Sequence, residues 1–211
     1  MTRGKGERTV ITMRFEDVFR VVLGFEGGYS NDPNDRGGET NLGVTEGTLR
    51  SAQSKGWVPA DVTVKTLTVE HARTIYKKGY WDPIRGDLLP EPLDLILFDC
   101  AVNHGPGGAT KLLQEALNSI LAGPQLVVDG ALGPKTFTAL VELLEADKRL
   151  TEQCPDLKDN CLLRYLCVDV LMNRTELFSW LAERNTSQRK FLRGWIHQRV
   201  VRLAEKAGLE S

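Results

Sequence analysis

Glu26 stands where an apolar helical stripe meets a polar loop, a place suited to proton donation. Phe15, Phe19 and Val22 fall on one helix face, and Glu26 is four residues past Val22. A carboxyl group that continues such a stripe is half desolvated, which raises its pKa. Still protonated near neutral pH, it can give a proton to a leaving oxygen. The 21 residues from Phe25 to Thr45 include five glycines among carboxylates, amides and hydroxyls. Gly27 and Gly28 are expected to end the helix. The chain then turns at Asn31-Asp32-Pro33 and reverses at Gly37-Gly38. Thr40, Asn41 and Thr45 follow on a short expected hairpin. Asp32 and Asp35 lie on the loop, and two carboxylates across a cleft are the minimum equipment for cleaving a glycosidic bond. The plainer alternative is a glycine-rich surface turn.

The elements around this stretch read as mainly α. The periodicity predicts helices over 15–25, 46–55 with Thr45 as N-cap, and 68–78 with Thr68 as N-cap. Further helices are predicted over 93–103, 109–121 and 134–150, with a long helix marked by Leu163 to Leu181 and a last one by Leu192 to Ala207. Pro134 fits a first helical turn, where its missing N–H costs nothing. Residues 1–12 read as a disordered arm. Tyr80 and Trp81 precede an Asp82-Pro83 break and suit either a sugar-stacking wall or a core plug. Asn103 could bind an acetamido group or cap a helix end.

Composition narrows the class. With 211 residues, 41% hydrophobic and 26% charged, the chain can bury a sizeable core. The net charge of −1 creates no strong field toward an anionic polymer. From Arg184 to Lys206 there are seven Lys/Arg and one acid, however. Arg189, Arg193, Arg199 and Arg202 read as a solvated face, and no base-reading motif accompanies them, so nucleic acid is not expected as a partner. No apolar run has the length of a membrane span, and the N-terminus lacks the apolar core of a secretory signal. Cys100, Cys154, Cys161 and Cys167 show no metal-ligand spacing; Cys154 and Cys161 could pair in an oxidising compartment, and reduced cysteines are expected otherwise. His71, His104 and His197 are far apart in sequence, so neither a metal nor a cofactor is expected.

The run Glu26-Gly-Gly-Tyr29, Asn31-Asp-Pro33, Asp35 and Gly37-Gly-Glu-Thr-Asn-Leu-Gly-Val-Thr45 resembles the signature of glycoside hydrolase family 108. These are the N-acetylmuramidases of phages and of bacteria that use them in secretion. Tyr80-Trp-Asp-Pro83 and Asp99 to Pro106 resemble two further family stretches. Asp129-Gly-Ala-Leu-Gly-Pro-Lys-Thr136 resembles small helical peptidoglycan-binding units.

The resemblance implies a lysozyme-like helical fold with a small β-hairpin within 29–45. It implies a catalytic region over 13–123 and a helical peptidoglycan-binding-like region over 124–211, packed on the first. It implies hydrolysis of the β-1,4 bond after N-acetylmuramic acid, with Glu26 as general acid. Asp35 is the favoured second group, with Asp32 an alternative. Tyr29, Asp32, Thr40, Asn41, Thr45, Tyr80, Trp81 and Asn103 are expected to line the substrate, and Thr40 or Thr45 could instead hold the attacking water. Carboxyls about 5–5.5 Å apart give retention, and about 6.5–9.5 Å give inversion. Glu39 and His104 depart from the small residues usual in the family, and Arg36 could pair with either acid. The expected partners are glycan strands and a holin or other export partner, with the chain a monomer. A non-catalytic peptidoglycan-binding or secretion-accessory protein is the rival reading.

Overall fold

The computed structural model describes residues 10–25, 40–123, 125–154, 156 and 160–209. The expected site residues Glu26, Tyr29, Asp32 and Asp35 lie outside them, as do Arg36, Glu39 and most of the stretch read as an N-terminal arm. The described residues form a mainly α fold with one small antiparallel hairpin. They divide into two compact units, Met1–Leu88 and Leu89–Ser211.

Helix α1 (Val10–Phe25) opens the first unit and begins inside the stretch read as an arm. It buries Phe15, Val18, Phe19 and Val22, the stripe that helical spacing picks out. Phe15 stacks on Phe19 at 5.6 Å and meets Trp81 at 5.4 Å, while Phe19 meets the edge of Tyr76 at 5.5 Å. Strands β1 (Thr40–Asn41) and β2 (Val44–Thr45) form the hairpin. Leu42 and Gly43 turn between them with φ of 51° and 72°, the paired positive angles of a tight hairpin turn.

Helices α2 (Glu46–Ser54) and α3 (Val69–Tyr76) start where their caps predict. Thr45 accepts from the Thr48 N–H, and Thr68 from the His71 N–H. His71 completes a capping box in the position usually held by Glu or Gln. Gly79 does not stop the chain from coiling. Lys77–Trp81 continues as a π-helical turn, closed by the Asp82 N–H donating to the Lys77 carbonyl at 2.8 Å.

The second unit is a set of packed helices. In α4 (Leu93–Ile120) the two predicted helices share one element, broken at Gly105 with φ 74° and ψ 160°. Pro106 then starts the second half, where a missing N–H is tolerated. Helix α5 (Pro134–Gln153) precedes α6 (Cys161–Arg184), which packs against α4, α5 and the following α7 (Arg189–Ile196). The chain ends through a π-helical turn, His197–Val201, and α8 (Arg202–Lys206). Asp147 of α5 is buried and accepts the N–H groups of Leu162 and Leu163 at 3.0 Å each. It thus satisfies backbone donors at the start of α6 that have no partner within the helix. All four cysteines are free. Burial pushes the Cys100 thiol up to about 11 and that of Cys167 up to about 12.

Candidate active site

The described part of the expected site is the hairpin that receives the chain after residue 39. Its register pairs Thr40 with Thr45 and Asn41 with Val44. Directly paired residues share a face of the ladder, so the structure brings Thr40 and Thr45 together on one side. Val44 is buried on the other side. Asn41, on the Val44 side, donates from its amide to the Val64 carbonyl at 3.0 Å. That nitrogen fastens the hairpin to the loop before α3. Tyr76 is buried, and its hydroxyl donates to the Leu42 carbonyl at 3.2 Å, holding the tip of the turn. Sequence reasoning did not single out Tyr76; its signal was an aromatic at the end of an amphipathic helix.

Thr45 is half-buried, and its hydroxyl sits 3.1 Å from that of Thr48 while accepting the Thr48 N–H. It therefore serves the α2 cap as well as the hairpin face. Of the two rings read as a stacking wall, Trp81 is completely buried. Its Nε1 donates to Asp87 at 2.8 Å, and Gly86 lies so close that a methyl there would overlap the indole. The core-plug alternative describes it. The ring stands at the end of the widened turn at 77–81. Tyr80 stays half-buried, with its ring 5.7 Å from Tyr76. Asn103, in the second unit, is exposed and donates from its amide to the Asp99 carbonyl one turn back, at 2.9 Å.

A buried charge cluster lies at the break in α4. Asp99 and Arg174 are both fully buried and pair at 2.7 Å. Arg199 reaches the other Asp99 oxygen at 2.8 Å with only 13% of its side chain exposed. This corrects its assignment to a solvated face. Arg174 also donates to the Arg199 carbonyl at 2.8 Å and from Nε to His104 Nε2 at 3.3 Å. Desolvation, reinforced by the Arg174 charge, lowers the His104 pKa to about 4. The imidazole is therefore neutral at pH 7, and because Nε2 accepts, Nδ1 carries the proton. The sequence did carry a signal. Arg174 interrupts the four-residue stripe of Leu166, Val170, Phe178 and Ala182, as Asp99 interrupts the apolar run before it.

The turn over 129–136 is also built from within. Gln114 is buried and donates to Asp129 at 2.9 Å and to the Ala131 carbonyl and Thr136 hydroxyl at 3.2 Å each. It accepts the Gly130 N–H at 3.0 Å. Gly130, with φ 78°, lies against the Gly107 carbonyl, which leaves no room for a side chain. An open groove of about 820 Å³ lies beside this turn. Among the described residues no cluster of His, Cys, Asp and Glu could hold a metal, and no helix is long and apolar enough to cross a membrane.

Comparison with known proteins matches residues 19–105 to the family model "Glycosyl hydrolase 108" and residues 108–200 to "Predicted Peptidoglycan domain". The two matches meet at the Gly105 break. The solved structure of Brucella abortus SagA is similar at 30% identity, covering 93% of this chain and 94% of that one, with a TM-score of 0.64. No curated protein matches.

Proposed function

The chain belongs to the glycosyl hydrolase 108 family, followed by a peptidoglycan domain, and on that footing we propose that this peptidoglycan hydrolase is an N-acetylmuramidase with Glu26 as its general acid. Glu26 would protonate the oxygen leaving N-acetylmuramic acid, while Asp35 steadies the positive charge on the sugar or orients water. Thr40 and Thr45 would hold that water. The observation that carries this reading is the unbroken motif from Glu26 to Thr45. The register supports it, because it puts Thr40 and Thr45 on one face of the hairpin that follows the motif's loop residues in the chain. Asn41 and Tyr76 keep that face in place. Tyr29, Asp32 and Tyr80 would contact the glycan.

The chain would work as a monomer over a catalytic region at 13–123 and a wall-binding region at 124–211. It would reach the wall through a holin or other export partner and be bacteriolytic there. Mass analysis of fragments released from purified sacculi tests the reaction. Reducing N-acetylmuramic acid ends are expected. Reducing N-acetylglucosamine ends, freed stem peptides or no release would reject a muramidase.

A further inference from the structure

We propose that a groove between α4 and α6 is a subsite for an N-acetylated amino sugar, with the Trp180 indole as its platform. The proposal rests on peptidoglycan as substrate and names where the second unit grips the glycan. The groove encloses about 530 Å³, inside the range of small-ligand clefts, roughly 300–1,000 Å³. Trp180 lines it and is 48% exposed, which is unusual for so large an apolar ring. The Arg184 guanidinium lies 4.5 Å from the ring centroid and braces it. A pyranose presents one flat face of C–H groups, which packs on such a ring, and a rim of hydroxyls that need donors and acceptors. The rim is supplied by His104, Lys111, Glu115, Asn173 and Glu176, over Leu112 and Leu177. That set pairs donors (Lys111 and the His104 Nδ1–H) with carboxylate acceptors and one amide able to match an acetamido group.

The availability of these groups separates the groove from the larger one beside the 129–136 turn. There the Gln114 amide donates to both Asp129 and Thr136, and no aromatic ring lines the walls. Around Trp180 the rim groups make no hydrogen bond to a described residue except through His104 Nε2, which accepts from Arg174. That bond fixes the ring. Gly108 makes room for it, since a side chain at 108 would press on the His104 Cβ.

The test uses the full chain carrying Glu26→Gln, so that glycan is not turned over, with purified sacculi and chitotetraose as probes. Trp180→Ala is expected to weaken sedimentation with sacculi about 10-fold. Trp180→Phe, which keeps a platform, should stay within about 2-fold. Glu142→Ala, on the other groove, should change nothing. Chitotetraose should shift one indole N–H resonance, the one missing from Trp180→Ala. With Glu26 restored, Trp180→Ala should keep the parent kcat and need more sacculi to reach it. If Trp180→Ala sediments like the parent, or Glu142→Ala is the variant that fails, the subsite is wrong while the hydrolase reading stands. If the unmodified chain releases nothing from sacculi, the hydrolase reading fails as well. Circular dichroism checks that each variant is folded.

Discussion

The two units solve the same problem, holding a polar surface in place, with opposite materials. The first anchors the tip of its hairpin to a cluster of packed rings. Phe15, Phe19, Tyr76 and Trp81 make a buried aromatic chain, and a single Tyr76 hydroxyl reaches out to the turn. The second is pinned by charge, with one buried carboxylate at Asp99 clamped by Arg174 and Arg199. Aromatic packing tolerates small shifts. A desolvated ion pair has one good geometry, and removing a partner leaves an uncompensated charge. Asp99 also lies within the glycosidase match while both arginines lie within the peptidoglycan match. The clamp therefore joins the last helical stretch of one family segment to the helices of the next.

The sharpest way to break that contrast is to remove its charge. Asp99→Asn should lower stability by about 3–5 kcal/mol in denaturant unfolding, because Arg174 stays buried without a counter-charge. A loss below about 1 kcal/mol would mean that the clamp is ornamental. The counterpart in the first unit is Gly86→Ala, which forces a methyl against Trp81. Its cost should sit near the upper end of the roughly 1–3 kcal/mol typical of overpacking, and a neutral result would show the aromatic core to be soft.

Acid sharpens the comparison further. The folded His104 pKa of about 4 lies below the unfolded value of ~6.5. The unfolded chain therefore binds more protons between these values, and stability falls as pH drops through that window. From pH 7 to pH 5 the histidine contributes a loss of about 2 kcal/mol. His104→Gln should remove that share of the slope, and an unchanged slope would exclude it. The smallest effect is expected from Tyr76→Phe, about 1 kcal/mol, with a few-fold lower kcat because the hairpin tip is less firmly held. An unchanged kcat would sever the ring core from the site.

Much of the architecture was legible because it follows from local rules. Thr45 and Thr68 announce their helices by capping chemistry, and Gly105-Pro106 announces its break by backbone freedom followed by a missing donor. The 77–81 turn was not legible, since a single π-helical turn leaves no mark in a 3.6-residue periodicity. Of the two roles open to Trp81, the wall role is overturned because the ring is fully buried and its indole N–H is held by Asp87. Arg199 was misplaced because its partner lies 100 residues away, beyond the reach of helical periodicity. Arg174 and Asp99 were visible as charges within apolar stripes, and each is the kind of exception that needs a partner. For the proposed site, the motif supplies the candidates, while the hairpin register adds that Thr40 and Thr45 share a face.

The most direct test of the central claim replaces one oxygen. Purified sacculi are incubated with the parent chain and with Glu26→Gln, and both solubilised glycan and sedimented protein are measured. The account predicts that Glu26→Gln loses about 10²–10⁴-fold in glycan release while sedimenting with sacculi as the parent does. Glycan release by Glu26→Gln at the parent rate would contradict it.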